Sequence, residues 1–261
     1  MDHTHTPIIF KDFDISIVIS FYKKMKDFRR VLPLNAPYFE KNGVEVIIAL
    51  DEPTECEELI EFIKKYPSIN WRVIVNRKHH EWRNPCKAWN VGVKHATKKY
   101  LLIVDPEFEF YTDALYHLKY ASDLYDNYFY VGKISFTNYA YLGKPDVSEI
   151  ISFSSYGGIL AKKTHIEQVS GYTESFTSWG GETDNLCSKL TKIGIKKAEV
   201  ATAIIFHRED EDNGGYSRAH KTLHLPHQVI IKAFVPDEQD FSNLDWGNDF
   251  NEIRYDYLKK K

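Results

Sequence analysis

The segment TSWGGETDNLCSKL, residues 177–190, brings together residue types that can bind a ligand and activate one of its groups. These residues are an aromatic side chain, two glycines and two acids: Trp179, Gly180, Gly181, Glu182 and Asp184. The glycines allow unusual backbone angles, and the indole offers an apolar face and an N–H donor. The acids lie in the first turn of a helix predicted over 182–193, where a carboxylate is favoured and can act as a general base. A helix start with a packed tryptophan is the alternative interpretation.

A second set of residues has the chemistry of a divalent metal site. Asp105 and Glu107 follow a strand predicted over 100–105, and His207 closes a strand predicted over 196–207. Carboxylate oxygens suit Mg²⁺ and Mn²⁺, and Mn²⁺ also accepts an imidazole nitrogen. The two strand ends must meet for these residues to share an ion. Otherwise the acids are solvated loop residues and the histidine belongs to the core or an edge.

The elements that must position these residues alternate between strand and helix. Apolar, β-branched runs predict strands over 14–20, 44–50, 71–76 and 100–105, and helices are predicted over 54–66 and 84–99. This order predicts a parallel sheet covered by helices on both faces. Ligands bind beyond the carboxyl ends of the strands of such a sheet. This rule selects the residues that follow the strands: Ser20, Tyr22, Asp51 and Asp105.

The alternation becomes less regular beyond residue 110. The elements predicted there are a helix over 112–125, strands over 127–136 and 149–163, and a short helix over 164–170. The tail, 220–261, mixes aromatic and charged residues and predicts a helical appendage. We therefore expect one domain over 1–219, with halves at about 14–110 and 111–219, followed by this appendage.

The composition argues against several classes of protein. The 261 residues carry 34 basic and 37 acidic side chains, a formal net charge of -3, so we expect no nucleic-acid partner. The three cysteines form no CxxC pair, which argues against a zinc site or a disulfide framework and favours a reducing compartment. The first residues, MDHTHTPIIFKDF, lack the apolar core of a secretory signal. We expect a cytoplasmic protein, and peripheral association with the inner face of the membrane stays open.

Five segments, in order along the chain, resemble landmarks of the family 2 glycosyltransferases. They are ISIVISFY, IIALDEP, NPCKAWNVGVKHATKKYLLIVDPEFE, GGILAKKTHIEQVSGYTESFTSWGGE and IIFHRE. The Trp-Gly-Gly-Glu sequence is also similar to that of animal galactosyltransferases and polypeptide N-acetylgalactosaminyltransferases. The resemblance covers approximately residues 14–210. It implies the GT-A fold, an α/β fold with a Rossmann-like, mostly parallel sheet flanked by helices.

The resemblance implies a metal-dependent, inverting transfer of a sugar from a UDP-sugar to a saccharide or glycoconjugate acceptor. A divalent cation, Mn²⁺ or Mg²⁺, stabilises the charge of the leaving diphosphate in such a reaction. By the same resemblance Asp105 lies at the ribose and the metal, Glu107 ligates the metal directly, and His207 is a further ligand. Glu107 stands where the family usually has aspartate, so its extra methylene shifts the position of the metal.

The resemblance also implies how the donor nucleotide is bound. Ser20 and Tyr22 match the loop at the nucleotide base, and Asp51 matches the residue that accepts a hydrogen bond from the uracil ring N–H. Lys87 and Asn90 lie on one face of the predicted helix over 84–99 and are expected to touch the nucleotide. The alternative for these two is a solvated helix side.

On the acceptor side, the resemblance assigns Trp179 and the two glycines that follow it to acceptor binding. Many relatives have an aspartate directly after the glutamate, but here Thr183 occupies that position and cannot be a base. Either Glu182 or Asp184 must take the proton of the acceptor hydroxyl. We favour Asp184 because it is the carboxylate nearest to the missing aspartate, whereas plain stabilisation of the helix dipole is its structural alternative.

Two other functions deserve comparison with this one. A GT-A-shaped protein that binds a nucleotide sugar or a glycan with reduced or lost catalysis is the alternative, because Glu107 and Thr183 depart from the family pattern. A dinucleotide-dependent oxidoreductase is disfavoured, because no GxGxxG sequence follows the first predicted strand.

Overall fold

The apolar runs of the sequence form the centre of one large sheet. The computed structural model describes residues 13–138, 158–177, 180–209 and 236–257. Within these ranges nine strands form one sheet in the order β5-β8-β6-β7-β4-β1-β2-β3-β9. The strands are Ile15–Phe21 (β1), Glu45–Leu50 (β2), Asn70–Val75 (β3), Tyr100–Val104 (β4), Phe108–Phe110 (β5), Tyr128–Asn138 (β6), Ile159–Lys162 (β7), Lys196–Glu209 (β8) and Glu252–Asp256 (β9).

Strands β1 to β4 form the parallel half of the sheet that the sequence predicts. β1 pairs in parallel with β2 and β4, and β2 pairs in parallel with β3. Every residue of β1, β2 and β4 is buried, because helices cover both faces of the sheet. Burial on both faces explains why these strands are continuous apolar runs in the sequence. The parallel order brings the carboxyl ends of all four strands to one side of the sheet, called here the carboxyl edge.

Helices cover both faces of the sheet. The described helices are Met25–Asn42 (α1), Cys56–Ile63 (α2), Cys86–His95 (α3), Ala114–Leu124 (α4), Lys163–Gln168 (α5) and Glu182–Lys192 (α6). Side chains of α1, α2 and α4 form the core on one face, and those of α3, α5 and α6 form the core on the other. Helix α1 is not among the predicted elements, because Pro33 and Pro37 lie within it and proline usually ends a helix. None of these described helices is long and apolar enough to cross a membrane.

The second half of the sheet is mixed, and it positions the end of β8. β7 is antiparallel to both β4 and β6, whereas β6 and β8 are parallel. β5 is a three-residue strand that the sequence pattern does not indicate, and it pairs antiparallel with the end of β8. Phe108 of β5 lies opposite His207 of β8. This pairing brings the carboxyl end of β8 to the residues that follow β4.

The described part of the tail differs from the predicted helical appendage. Residues 236–257 contain a 3₁₀ turn, Glu238–Phe241, and β9, which pairs antiparallel with β3 at the edge of the sheet. The prediction of α-helix is therefore wrong for this part of the tail. The open edge of β3 provides a pairing partner for this segment, and Trp246 and Phe250 are buried in one of the two cores beside it. The domain boundary at residue 219 stays a prediction.

The tail packs closely against the turn that follows α5. Gly171 in this turn has a φ of 62°, and a β-carbon added there would lie 2.6 Å from Cε3 of Trp246. The same β-carbon would also clash with the Asn90 amide oxygen. Gly171 therefore satisfies both a left-handed backbone and a close contact between the tail and the body.

We expect Gly171→Ala to lower the free energy of unfolding more than Gly194→Ala does. Both glycines have positive φ, 62° and 89°, so alanine at either position adds backbone strain of about 1–2 kcal/mol. At Gly194 no atom of the described residues lies within 4 Å of an added β-carbon, whereas at Gly171 overpacking against Trp246 adds roughly 1–3 kcal/mol. Urea unfolding measures the difference, and equal losses would contradict the packing of the tail described here.

Candidate functional site

Several predicted residues lie together at the carboxyl edge. Ser20 is the next-to-last residue of β1, Asp51 directly follows β2, and Asp105 directly follows β4. The Asp51 N–H donates to the Phe21 carbonyl at 2.8 Å, which continues the β1–β2 pairing to this edge. The residues predicted from the ends of parallel strands thus lie on the same side of the sheet.

The three candidate metal ligands converge at this edge. His207 Nε2 lies 3.5 Å from Asp105 Oδ2 and 3.8 Å from Glu107 Oε1. The pairing of β5 with β8 causes this convergence, since it joins the chain after β4 to the end of β8. The rings of Phe108 and Phe136 pack against the imidazole, with centroids 5.0 and 4.9 Å away, and fix its position.

These donors suit a divalent cation in type but are not arranged as ligands in this structure. Two carboxylates and one imidazole form an oxygen and nitrogen set that Mn²⁺ accepts. Among the described residues, however, no group of three or more His, Cys, Asp or Glu side chains is placed to hold a metal ion. Glu107 Oε1 instead forms an ion pair with Lys24 Nζ at 2.7 Å. The cation beside Glu107 is therefore an ammonium of the protein itself.

Lys24 is charged in this environment. Burial by itself lowers its pKa, but the ion pairs with Glu107 and Asp27 outweigh burial and raise the pKa above the ordinary lysine value. The Asp27 carboxylate lies 3.4 Å from Nζ, one turn along α1. Lys24 is not among the predicted site residues, because a lysine in the polar turn YKKM resembles any solvated lysine.

A second buried carboxylate at this edge, that of Asp51, is also paired. Asp51 is 2% exposed, and its oxygens accept from Arg83 Nε at 2.5 Å and from Arg83 Nη2 at 2.6 Å. Asn76, which follows β3, donates to it at 2.7 Å. The predicted uracil ligand is thus covered by a guanidinium that the sequence analysis did not single out. The sequence offered one indication of this role, since Arg83 lies two positions before Pro85 at the predicted helix start.

The tail reaches this pair and holds it. Asp249, in the described part of the tail, accepts from Arg83 Nη1 at 2.5 Å and from Lys87 Nζ at 3.3 Å. Burial raises the pKa of Asp249, but the two cations outweigh burial and lower the pKa below its ordinary value. Lys87 is predicted from the sequence to touch the nucleotide. It shares the partner Asp249 with Arg83, and Arg83 in turn is paired with Asp51.

Two other residues predicted to bind the nucleotide sugar, Tyr22 and Asn90, form hydrogen bonds within the protein. The Tyr22 hydroxyl donates to the His80 carbonyl at 2.7 Å, which closes the turn after β1 onto the loop after β3. Asn90 is fully buried, and its amide nitrogen donates to the Tyr172 carbonyl at 2.8 Å and to Glu174 at 2.9 Å. Its amide oxygen accepts from the Tyr172 N–H at 2.7 Å. These contacts favour a structural role for Asn90 over contact with a nucleotide.

The glycine pair adopts the unusual backbone that the sequence predicts. Gly180 and Gly181 have φ values of 93° and 82°, and α6 begins at Glu182. The Glu182 carboxylate accepts from the Gly180 N–H at 2.8 Å and from Asn84 Nδ2 at 2.7 Å. Asn84 also caps α3 by accepting from the Cys86 N–H at 2.9 Å. Glu182 is thereby held at the start of α3, while Trp179 lies outside the described residues.

Asp184 lies in a different environment from Glu182. Burial raises its pKa, and the charge that opposes this shift is Lys197. Lys197 is near the start of β8, at the opposite end of that strand from His207. Asp184 therefore experiences the Lys197 charge, whereas the Glu182 carboxylate is hydrogen-bonded at the start of α3.

Family models match most of the chain. The model described as glycosyl transferase family 2 matches residues 16–180. The model described as N-terminal domain of galactosyltransferase matches residues 146–219, which include the glycine pair and the end of β8.

Solved structures share the fold at low sequence identity. GalNAc-T7 with UDP, GalNAc and Mn²⁺ matches with a TM-score of 0.59 at 15% identity, over 76% of this chain and 44% of that one. Residues 1–349 of S. aureus TarS, in complex with UDP-GlcNAc, match with a TM-score of 0.59 at 15% identity, over 76% of this chain and 59% of that one. The mannosyltransferase PcManGT from Pyrobaculum calidifontis, in complex with GDP-Man and Mn²⁺, matches with a TM-score of 0.56 at 12% identity. The match covers 76% of this chain and 58% of that one. The chain thus spans about half the length of these structures, and the likeness confirms the GT-A fold.

The Asp51–Arg83 pair generates a prediction about stability. Arg83→Met leaves a buried carboxylate without its guanidinium, and breaking a buried ion pair in this way costs about 3–5 kcal/mol. Adding Asp51→Asn removes the uncompensated charge, so the double variant should recover part of the loss. Urea unfolding gives the free energies, with Arg29→Met as the control because it breaks an exposed pair with Glu58. A loss at Arg83 no larger than the control loss would show that the pair is not important for stability.

Proposed function

The chain belongs to glycosyl transferase family 2, and we propose that it transfers a sugar from a UDP-sugar to a saccharide or glycoconjugate acceptor. The transfer inverts the configuration at the sugar carbon and depends on Mn²⁺ or Mg²⁺. The observation that carries this proposal is the meeting of Asp105, Glu107 and His207 at the carboxyl edge. The UDP and Mn²⁺ named with GalNAc-T7 and the UDP-GlcNAc named with TarS support the choice of donor and metal.

The metal would be held by Glu107 and His207, with Asp105 beside it at the ribose. Bound there, a divalent cation supplies positive charge to the diphosphate as it leaves the sugar. The protein residues contribute position: His207 is fixed by Phe108 and Phe136, and β5 keeps Glu107 within reach of His207. The few protein ligands leave room for phosphate oxygens, so the metal and the nucleotide should bind together.

The nucleotide base would lie against Asp51 and Arg83. Uracil has one ring N–H between two carbonyl oxygens, and this pattern is complementary to a carboxylate beside a guanidinium. Cytosine has no proton on the same ring nitrogen and fits less well. Ser20, Tyr22 and Lys87 stay candidates for contact with the donor, whereas the buried Asn90 is the weakest candidate among the nucleotide-binding residues.

The acceptor would lie against the glycine pair and Trp179, with Glu182 as the general base. Hydrogen bonds from Asn84 and from the Gly180 N–H hold the Glu182 carboxylate in one orientation. A positioned carboxylate can take the proton of an acceptor hydroxyl as the sugar is transferred. The geometry thus supports Glu182 over Asp184, which reverses the order that the sequence alone suggests.

The expectation of a reducing compartment comes from the three cysteines, which form no CxxC pair in the sequence. Cys56, Cys86 and Cys187 are free. Burial raises the pKa of Cys86 well above its ordinary value and raises that of Cys187 to about 12, so burial favours the thiol over the thiolate at both. We propose the cytoplasm as the site of the reaction, and association with the inner face of the membrane is part of this proposal.

Calorimetry tests the metal and the donor together. We expect Mn²⁺ to bind weakly alone and each of Mn²⁺ and UDP to tighten the binding of the other. His207→Ala should remove this coupling, whereas His117→Ala on helix α4 should keep it. Binding of UDP that is equal in chelator and unchanged by His207→Ala would contradict the metal assignment. If UDP-sugars bind with Mn²⁺ but are neither hydrolysed nor transferred, the protein is a binding protein of the same fold.

Two substitutions identify the base. We expect Glu182→Gln to lower kcat by about 10²–10⁴-fold while UDP affinity persists, because a lost general base affects the chemical step. Asp184→Asn should leave kcat close to the wild-type value, and steady-state transfer assays with parallel UDP titrations measure both effects. The opposite result would assign the proton to Asp184. If neither substitution slows transfer, the base lies outside this segment.

A further inference from the structure

An internal cation occupies the position beside the proposed metal ligand Glu107. Lys24 Nζ lies 2.7 Å from Glu107 Oε1, and the same oxygen lies 3.8 Å from His207 Nε2. The Lys24 side chain is only 12% exposed, and that of Glu107 is 7% exposed. The ammonium is thus within the cluster that would hold the metal, and it is not a surface charge that happens to be near.

The turn between β1 and α1 directs Lys24 into this cluster. Lys24 directly precedes α1, and its carbonyl accepts from the Phe28 N–H at 2.9 Å. The Glu55 carboxylate accepts backbone hydrogen bonds from this turn, including one from the Met25 N–H at 3.4 Å. Asp27, which is fully buried, lies 3.4 Å from the ammonium on its other side. A turn held from both sides keeps the ammonium beside Glu107.

The pairing of Lys24 with Glu107 affects how a metal ion can bind to Glu107. A buried carboxylate is strongly destabilising without a cation, and Lys24 supplies one while no metal is bound. A divalent ion that reaches Glu107 must displace the ammonium or lie next to a like charge. A diphosphate changes this balance, because its oxygens accept hydrogen bonds from the ammonium in place of Glu107.

We propose that Lys24 is a built-in competitor of the metal for Glu107, and that the diphosphate of the donor releases Glu107 by taking over the ammonium. The metal ion therefore binds tightly only when the nucleotide is bound as well. The inference rests on the proposed function and assigns to Lys24 a role in metal and diphosphate binding that the family resemblance does not supply. It also explains the cluster of Asp105, Glu107 and His207. These residue types suit a metal ion, but Glu107 is paired with Lys24 in this structure.

The test is Mn²⁺ titration of the whole chain, with free Mn²⁺ followed by electron paramagnetic resonance and UDP binding followed by calorimetry. We expect Lys24→Gln, which removes the charge but can still donate a hydrogen bond to Glu107, to tighten Mn²⁺ binding without nucleotide. The expected gain is about tenfold or more, the size of one charged hydrogen bond. UDP binding in chelator should weaken, because the diphosphate loses the ammonium as a partner. The coupling between Mn²⁺ and UDP should shrink, because Mn²⁺ alone then binds more tightly.

Three further variants control the interpretation. Lys24→Arg keeps the charge and should bind Mn²⁺ alone as weakly as wild type, and exposed Lys26→Gln should match wild type throughout. Lys24→Met removes both charge and hydrogen bond and should tighten Mn²⁺ as Lys24→Gln does. Circular dichroism establishes that each variant is folded, and Lys24→Gln carries the test if Lys24→Met is not.

The outcomes separate this inference from the proposed function. If wild type shows coupling between Mn²⁺ and UDP but Lys24→Gln leaves Mn²⁺ affinity unchanged or weaker, Lys24 is not a competitor and only this inference fails. If wild type binds no Mn²⁺ even with UDP, the metal dependence itself fails and this inference falls with it.

Discussion

The constraint on which the candidate site depends is that a carboxylate buried at the carboxyl edge needs a cation. Asp51 is paired with Arg83, Glu107 with Lys24, and Glu109 with Arg208, whose Nε donates at 2.6 Å. A buried charge without a partner is strongly destabilising, so each pair fixes the position of both members. Elements far apart in sequence are thereby joined at one edge of the sheet. The same pairs decide which acids a ligand can reach and which cation it must replace.

The strand pairing supplies the geometry that the charges then stabilise. β8 runs parallel to β6 and ends against β5, so His207 is delivered to the residues that follow β4. β5 has only three residues, and the buried Glu109–Arg208 pair links it to β8 near His207. A short strand and a buried ion pair therefore keep the candidate metal cluster together across about a hundred residues of sequence.

The described tail is part of the site and of the sheet. β9 extends the sheet beside β3, Trp246 packs on Gly171, and Asp249 holds Arg83. The Gly247 N–H donates to Glu174 at 2.8 Å, and Glu174 in turn accepts from Asn90. The tail thus couples the loop at Asp51 to the turn before the glycine pair. The tail therefore contacts both positions through hydrogen bonds of its own, one from the Gly247 N–H and one to the Asp249 carboxylate.

The sequence by itself determined β1 to β4 and their carboxyl edge, because buried parallel strands leave local patterns. It also predicted Asp51, Asp105, Glu107 and His207 as site residues, because ligands bind beyond the ends of such strands. Local patterns also placed Glu182 at a helix start after two glycines with positive φ. Only the tertiary structure decided the counterions Lys24 and Arg83, the burial of Asn90 and the strand in the tail. Each of these depends on partners distant in the chain, such as Glu107 for Lys24 and Asp249 for Arg83, and no periodic pattern records a contact of that kind.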